Sequence, residues 1–171
     1  MIIQSKNFIL RPYRKGDEND VVKNINDRAV SRFLSIVPYP YSRKDAKFWI
    51  NKCLKERKEK KKTAVRFAIE MNGKVIGAID LSNIQKHKAE IGYWLGRKYW
   101  NKGIISEAIR LITNFGFNKL KLKRIYATVF AGNRKSAGVL EKNGFKLEGL
   151  LIKDILKNGK LYDSHLYAKI K

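Results

Sequence analysis

The chain predicts an α/β (α+β) fold, a mixed sheet flanked by helices, and three observations carry that expectation. Runs of period-two alternation, such as Val65 to Ile69, alternate along the chain with runs of helical spacing, such as Ala46 to Leu54. Asn72-Gly73 and Asn158-Gly159 stand between strand-like runs and mark hairpins, hence antiparallel neighbours. The helical runs around Ala108 and Leu140 lie between strands and supply crossovers. With 171 residues the chain is long enough to bury a core without staples, so residues 1–171 are expected to form a single domain.

Phe8, Leu10 and Pro12, interleaved with Ile9 and Arg11, read as a first strand, and Asp17 reads as the N-cap of a helix through Val21, Val22 and Ile25. Pro38 and Pro40 break any helix between Arg28 and Tyr41. Ser42 with Asp45 resembles a capping box, and Ala46, Trp49, Ile50, Cys53 and Leu54 then follow at helical spacing. This helix runs into KERKEKKKT, which reads either as a solvated helix end or as an RNA-binding patch. Val65 to Ile69 and Val75 to Leu81 form a hairpin, and Ala89 to Leu95 is a further strand. Ile104, Ala108, Leu111, Ile112 and Phe115 share one helical face. Arg124 to Phe130 is a strand, Asn133 to Asn143 a helix closed by Gly144, and Phe145 to Ile155 with Leu161 to Ile170 a terminal hairpin.

The formal charge is +23, from 38 Lys and Arg against 15 Asp and Glu, so the partners it attracts are anionic: nucleic acid, a ribosome or a phosphorylated co-substrate. Cys53 is the only cysteine, which excludes an intramolecular disulfide and a Cys-rich metal site, and isolated His87 and His165 give no metal-ligand spacing. The start MIIQSKNFILRPYR lacks the pattern of a signal peptide, and no apolar run reaches the length of a membrane span. The expectation is a soluble cytoplasmic protein without metal, a monomer or homodimer.

Chemistry concentrates in two places. In GRKYWNKGIISEA a glycine, Gly103, immediately precedes a helix whose first amides have no intrahelical acceptors. Those N–H groups and the positive end of the helix dipole suit a phosphate, with Lys102 and Arg97 as rim charges, although Gly103 could equally just relieve a tight loop. Neither a G-x-G-x-x-G fingerprint nor a P-loop is present, so NAD and ATP are poor candidates. In the strand before it, Glu90, Gly92 and Trp94 share one face and Ala89, Ile91, Tyr93 and Leu95 the other. A desolvated Glu90 would suit a general base, whereas a salt-bridged surface glutamate is the plainer reading. Asn133 reads as an N-cap, with Ser136 one turn into its helix.

Together AEIGYWLGRKYWNKGIISEA and NRKSAGVLEKNGFKLEG resemble the acetyl-CoA-binding core of the GNAT N-acetyltransferases, and FILRPYR and the terminal hairpin are similar to that family too. The branch most resembled acetylates N-terminal amines (alanine or serine) of ribosomal proteins. The resemblance implies a twisted, mostly antiparallel mixed sheet of about six to seven strands with about four helices, splayed between two central parallel strands. It also implies that Trp100, Asn101, Lys102, Gly103, Ile104, Ile105 and Ser106 hold the CoA pyrophosphate. Trp100 there replaces an Arg or Gln and Ile105 a small residue, so amides must do most of the holding. Backbone groups of Tyr93, Trp94 and Leu95 would meet the pantetheine, and Asn133 would touch the same arm.

Many relatives protonate the departing thiolate with a tyrosine where this chain has Leu140, and Ser136 is the replacement expected here, with bulk water as its rival. Glu90 matches the strand glutamate that is the base in some members. The implied reaction is direct attack of a primary amine on acetyl-CoA without an acyl-enzyme. An α-amine with pKa about 8 is roughly 10% neutral at pH 7, and a lysine near 10.4 far less, so a protein N-terminus is the easier acceptor and a small amine or polyamine the alternative. From another class, a basic RNA- or ribosome-binding module that keeps the fold without turnover fits the charge.

Overall fold

Two Asn-Gly turns and one glycine-capped helix set the path of the chain. Asn72, Gly73, Asn158 and Gly159 all take positive φ, as tight hairpins require. The computed structural model describes residues 1–171. Its strands are β1 (Ile3–Gln4), β2 (Ile9–Arg11), β3 (Val65–Met71), β4 (Lys74–Ser82), β5 (Lys88–Leu95), β6 (Arg124–Phe130), β7 (Lys146–Lys157) and β8 (Lys160–Ile170). Its helices are α1 (Glu18–Ile25), α2 (Arg28–Ser31), α3 (Arg43–Glu56), α4 (Ile104–Asn118) and α5 (Arg134–Lys142). No helix is long and apolar enough to cross a membrane.

The strands pair in the order β1-β2-β3-β4-β5-β6-β8-β7, all antiparallel except β5 with β6. One sheet face packs against α4 and α5 through Ile79, Leu81, Ile91, Ile109, Ile112 and Leu140. The other packs against α1 and α3 through Val21, Ile25, Ile50, Cys53, Ala68 and Ala78. Gly116 lets α4 approach closely, since a Cβ there would stand 2.8 Å from the Ile125 Cδ1 atom.

This is the expected mixed sheet, with eight strands rather than six to seven and five helices rather than four. The additions are short. β1 has two residues and gives no readable alternation. α2 has four residues, and Asp27 caps it by accepting from the Ala29 amide at 2.7 Å. The box at Ser42 forms as expected, with Asp45 N donating to Ser42 Oγ at 3.2 Å and Ser42 N donating to the Asp45 carboxylate at 2.8 Å.

Asp17 stands at the start of α1 but does not cap it. Its carboxylate instead accepts two bonds from the buried Arg11 guanidinium, both at 2.8 Å, and one from the Arg14 amide at 2.9 Å. Arg11 also donates to Glu70 at 2.5 Å, which explains why a charged residue is buried in β2 where alternation predicts an outward side chain. Desolvated charges survive only when paired in this way. Removing one partner strands the other, so Asp17→Ala is expected to cost about 3–5 kcal/mol, read as a lower urea midpoint with an unchanged slope.

Candidate active site

β5 and β6 are hydrogen-bonded neighbours only at Lys88↔Arg124, Ala89↔Ile125 and Glu90↔Tyr126. Beyond that point β5 stays bonded to β4 as far as Leu95, and β6 stays bonded to β8 as far as Phe130, so the two strands diverge. The Gly96 amide donates to the Ile76 carbonyl directly opposite, at 2.9 Å. That sets the phase of the ladder: Gly92 and Trp94 bond across to β4, while Tyr93 and Leu95 turn their backbone groups toward the gap. A cleft of about 1940 Å³ runs through this gap, lined from one sheet face by Trp49, Asp80 and Trp94 and from the other by Tyr93, Ile104 and Ser136.

At one end lie the residues before α4. Asn101 and Gly103 both take left-handed backbone, φ +61 and +74. The amides from Asn101 through Ser106 meet no acceptor in the protein, and Glu107 is the first to bond back, to the Gly103 carbonyl at 3.0 Å. Left-handed turns leading into a helix N-terminus aim such amides at one point, a cradle suited to phosphate oxygens. Ser106 Oγ accepts from Asn143 at 2.9 Å, which leaves its own hydrogen to donate.

Trp100 works differently from the polar residue it replaces. Its indole N–H donates to the Leu95 carbonyl at 2.7 Å, occupying one of the gap-facing backbone groups and tying the loop to the strand end. The Lys135 ammonium lies 4.6 Å from the Trp100 ring centre, and Lys102, Arg134 and Lys142 also line the cleft. Arg97, expected as a rim charge, also lines the cleft and reaches Asp27 at 3.8 Å.

Asn133 caps α5 by accepting from the Ser136 amide at 3.3 Å, and its side chain lines the cleft. Tyr93 Oη and Ser136 Oγ are 2.7 Å apart, one donating to the other. Burial pushes the Tyr93 phenol up to about 12, so it remains a proton donor at neutral pH, with the Ser136 bond opposing the shift. The sequence singles out Ser136 alone, because its partnership with Tyr93 arises only when α5 docks beside β5. On the opposite face Glu90 lines the cleft and accepts from Asn83 at 2.7 Å. Asp80, across from Gly92 on β4, is a second carboxylate in the same wall, pushed by burial up to about 6 against the pull of Arg66. Its one sequence signal is an acid inside the apolar run VIGAIDL.

Residues 7–146 match the family model of the acetyltransferase (GNAT) domain. The chain belongs to the GNAT acetyltransferases. The N-acetyltransferase p20 of Bacillus licheniformis is 30% identical over 175 residues, covering 99% of this chain and 96% of the relative. Other relatives align over less, in one case 64% of their length. The spermidine N(1)-acetyltransferase of Escherichia coli is 28% identical over 152 residues, 88% of this chain and 78% of that protein. Among solved GNAT structures, the ribosomal-protein-S5-alanine acetyltransferase of Vibrio fischeri superposes with a TM-score of 0.85 at 25% identity, covering 99% of this chain and 96% of that one.

Membership fits the site: a GNAT enzyme uses acetyl-CoA, and a diphosphate with an amide-bearing arm matches free amides at one end and unbonded strand groups along the gap. Gly103 has empty space where a Cβ would go, so Gly103→Ala tests conformation alone. Forcing alanine into left-handed backbone is expected to cost about 1–2 kcal/mol, measured by urea denaturation without ligand.

Proposed function

We propose that this protein transfers the acetyl group of acetyl-CoA directly to a primary amine, and that the amine is the N-terminal α-amine of a protein. The observation that carries the reading is the gap between β5 and β6 ending at the free amides of Asn101 to Ser106. Trp100, Asn101, Lys102, Gly103, Ile104, Ile105 and Ser106 form the diphosphate end. Tyr93 and Leu95 line the arm, with Asn133 at its far side.

The two faces of β5 divide the proton traffic. Glu90 and its neighbouring carboxylate lie on the face toward α3, where the acceptor's proton must leave. Tyr93 and Ser136 lie on the opposite face, hydrogen-bonded and able to hand a proton to the departing thiolate. The attacking nitrogen and the departing sulfur, which share one carbonyl carbon, are thus served from opposite sides of one strand.

The choice of a protein N-terminus over a polyamine rests on charge. Among the carboxylates in the cleft wall, Asp45 is held by Ser42 and Asp154 accepts from Ser164, which leaves Glu90 and the free oxygen of the Arg66-bound Asp80 for a single ammonium, while Arg32, Lys52, Lys135 and Lys142 add positive charge. A polycation finds few free anions there. The apolar walls of Phe33, Leu34, Trp49 and Leu156 suit the first side chains of a peptide. A ribosomal substrate accords with the acceptor named for the Vibrio fischeri enzyme and with the +23 charge, which favours association near RNA.

CoA at 100 times its dissociation constant is expected to stabilise the protein by about 2.7 kcal/mol, seen as a raised melting temperature. No shift at any concentration rejects the reading. In thiol-release assays with acetyl-CoA, peptides with free N-termini should outpace spermidine. The double variant Tyr93→Phe with Ser136→Ala is expected to lower kcat about 100-fold, the low end of acid catalysis, while leaving CoA binding intact.

A further inference from the structure

Two carboxylates occupy the α3-side wall, and their positions along the strands differ by two register pairs. Glu90 lies opposite Ser82 and beside Tyr126, where β5 and β6 are still bonded. Asp80 lies opposite Gly92, past the point where they part. Gly92 presents no side chain, and a Cβ at that position would come 3.4 Å from Asp80 Oδ1. The absent side chain therefore opens the strand surface directly in front of this carboxylate.

Asp80 is held but not closed off. Arg66 donates to its Oδ2 at 3.1 Å, and the Ser82 hydroxyl approaches from the same strand. The Arg66 guanidinium is itself fixed by Glu56 at 2.7 Å and lies 4.8 Å from the Trp49 ring centre. The Asp80 side chain still keeps 20% of its surface exposed, into the cleft. The Tyr13 hydroxyl is buried in the same wall, beside the Trp49 indole.

We propose that Asp80 is the seat of the acceptor: its carboxylate receives the substrate ammonium over Gly92 and takes a proton from it, and Glu90 is a positioning residue that acts through Asp80. This rests on the reading that the cleft transfers acetyl to an amine. The ammonium gives one proton to Asp80, and the freed nitrogen lone pair attacks the thioester carbonyl carbon. The C–N bond forms and the C–S bond breaks with its electron pair on sulfur, which takes a proton from the Tyr93–Ser136 pair. As the amide forms, nitrogen loses a second proton, which restores that pair through solvent. Asp80 then returns its proton to water.

The groups facing Asp80 determine its pH behaviour. Arg66 comes from β3, Glu56, Lys52 and Cys53 from α3, Glu90 from β5, and Tyr13 from the segment after β2. Burial pushes the Cys53 thiol up to about 12 and raises the Tyr13 phenol as well, so both are neutral near pH 7. Arg66 pulls Asp80 down, while burial and the like charge of Glu90 push it up, to about 6.

The experiment is a pH profile of kcat and kcat/KM for acetyl transfer to a free-N-terminal peptide, with wild type, Asp80→Asn, Glu90→Gln and Arg66→Gln. Wild type should gain activity as pH rises through an inflection near 6, where Asp80 ionises. Asp80→Asn should lose about 100- to 1000-fold in kcat together with that inflection. Glu90→Gln should keep the inflection but move it to lower pH, with less than about a tenfold loss, because a neighbouring negative charge is gone. Arg66→Gln should move it to higher pH. Asp80→Asn with the wild-type rate and inflection overturns the proposal, as does an Arg66→Gln profile that does not move, a result available even if Asp80→Asn fails to fold. A CoA-induced rise in melting temperature in each variant certifies its fold. Wild type without CoA binding or transfer defeats the underlying reading instead, and the proposal with it.

Discussion

The fold depends on one short parallel contact. β5 and β6 each belong to an antiparallel array, β5 with β4 and β6 with β8, and they touch at three register pairs before parting. Twist accumulates separately in the two arrays, so a seam held only at one end must open toward the other. The chain fits its surroundings to that opening. Trp100 bonds a gap-facing carbonyl of β5, and Phe130 at the end of β6 packs between Phe33, at 5.9 Å, and Tyr162, at 5.5 Å. Elsewhere the seam stays free to receive a ligand with amides of its own.

A consequence of alternation along β5 is that one strand serves two environments. Its even positions, Glu90, Gly92 and Trp94, meet the α3 side, where Asp80 and Arg66 stand. Its odd position Tyr93 meets Ser136 on α5. The Tyr93 and Ser136 hydroxyls and the Asp80 and Glu90 carboxylates are thereby kept a strand's thickness apart. The buried Arg11–Asp17–Glu70 network lies away from this seam and fixes β2 and the start of α1 on β3.

Local chemistry was readable in the sequence and long-range chemistry was not. The hairpins at Asn72-Gly73 and Asn158-Gly159, the box at Ser42 and the turn at Gly103 into a helix each depend on residues within a few positions of one another, and each forms. Asp17 was legible as the start of α1, but its carboxylate serves Arg11, because a buried guanidinium outcompetes helix amides for it. α2 is one turn long, too short to display a period. In the cleft wall, Glu90 and the loop through Gly103 are legible from their places on a strand and before a helix, and Ser136 only through the family resemblance. Asp80 is not legible, since its meaning comes from the glycine across the ladder, and Tyr93 was read only for its backbone because Ser136 is 43 residues away.

Lys157, at the end of β7, buries its ammonium among the carbonyls of Ser31, Leu34 and Val37, just past α2. Burial lowers its pKa, yet the carbonyls reward the charged form with bonds that α2 cannot make for itself at its C-terminal end. Two segments beside the cleft are therefore riveted together across more than 120 residues of chain. Through Lys157 and through Tyr162 packed on Phe130, the terminal hairpin bears on Leu34 and Phe33, so the pocket's outline is inherited from both ends of the chain at once.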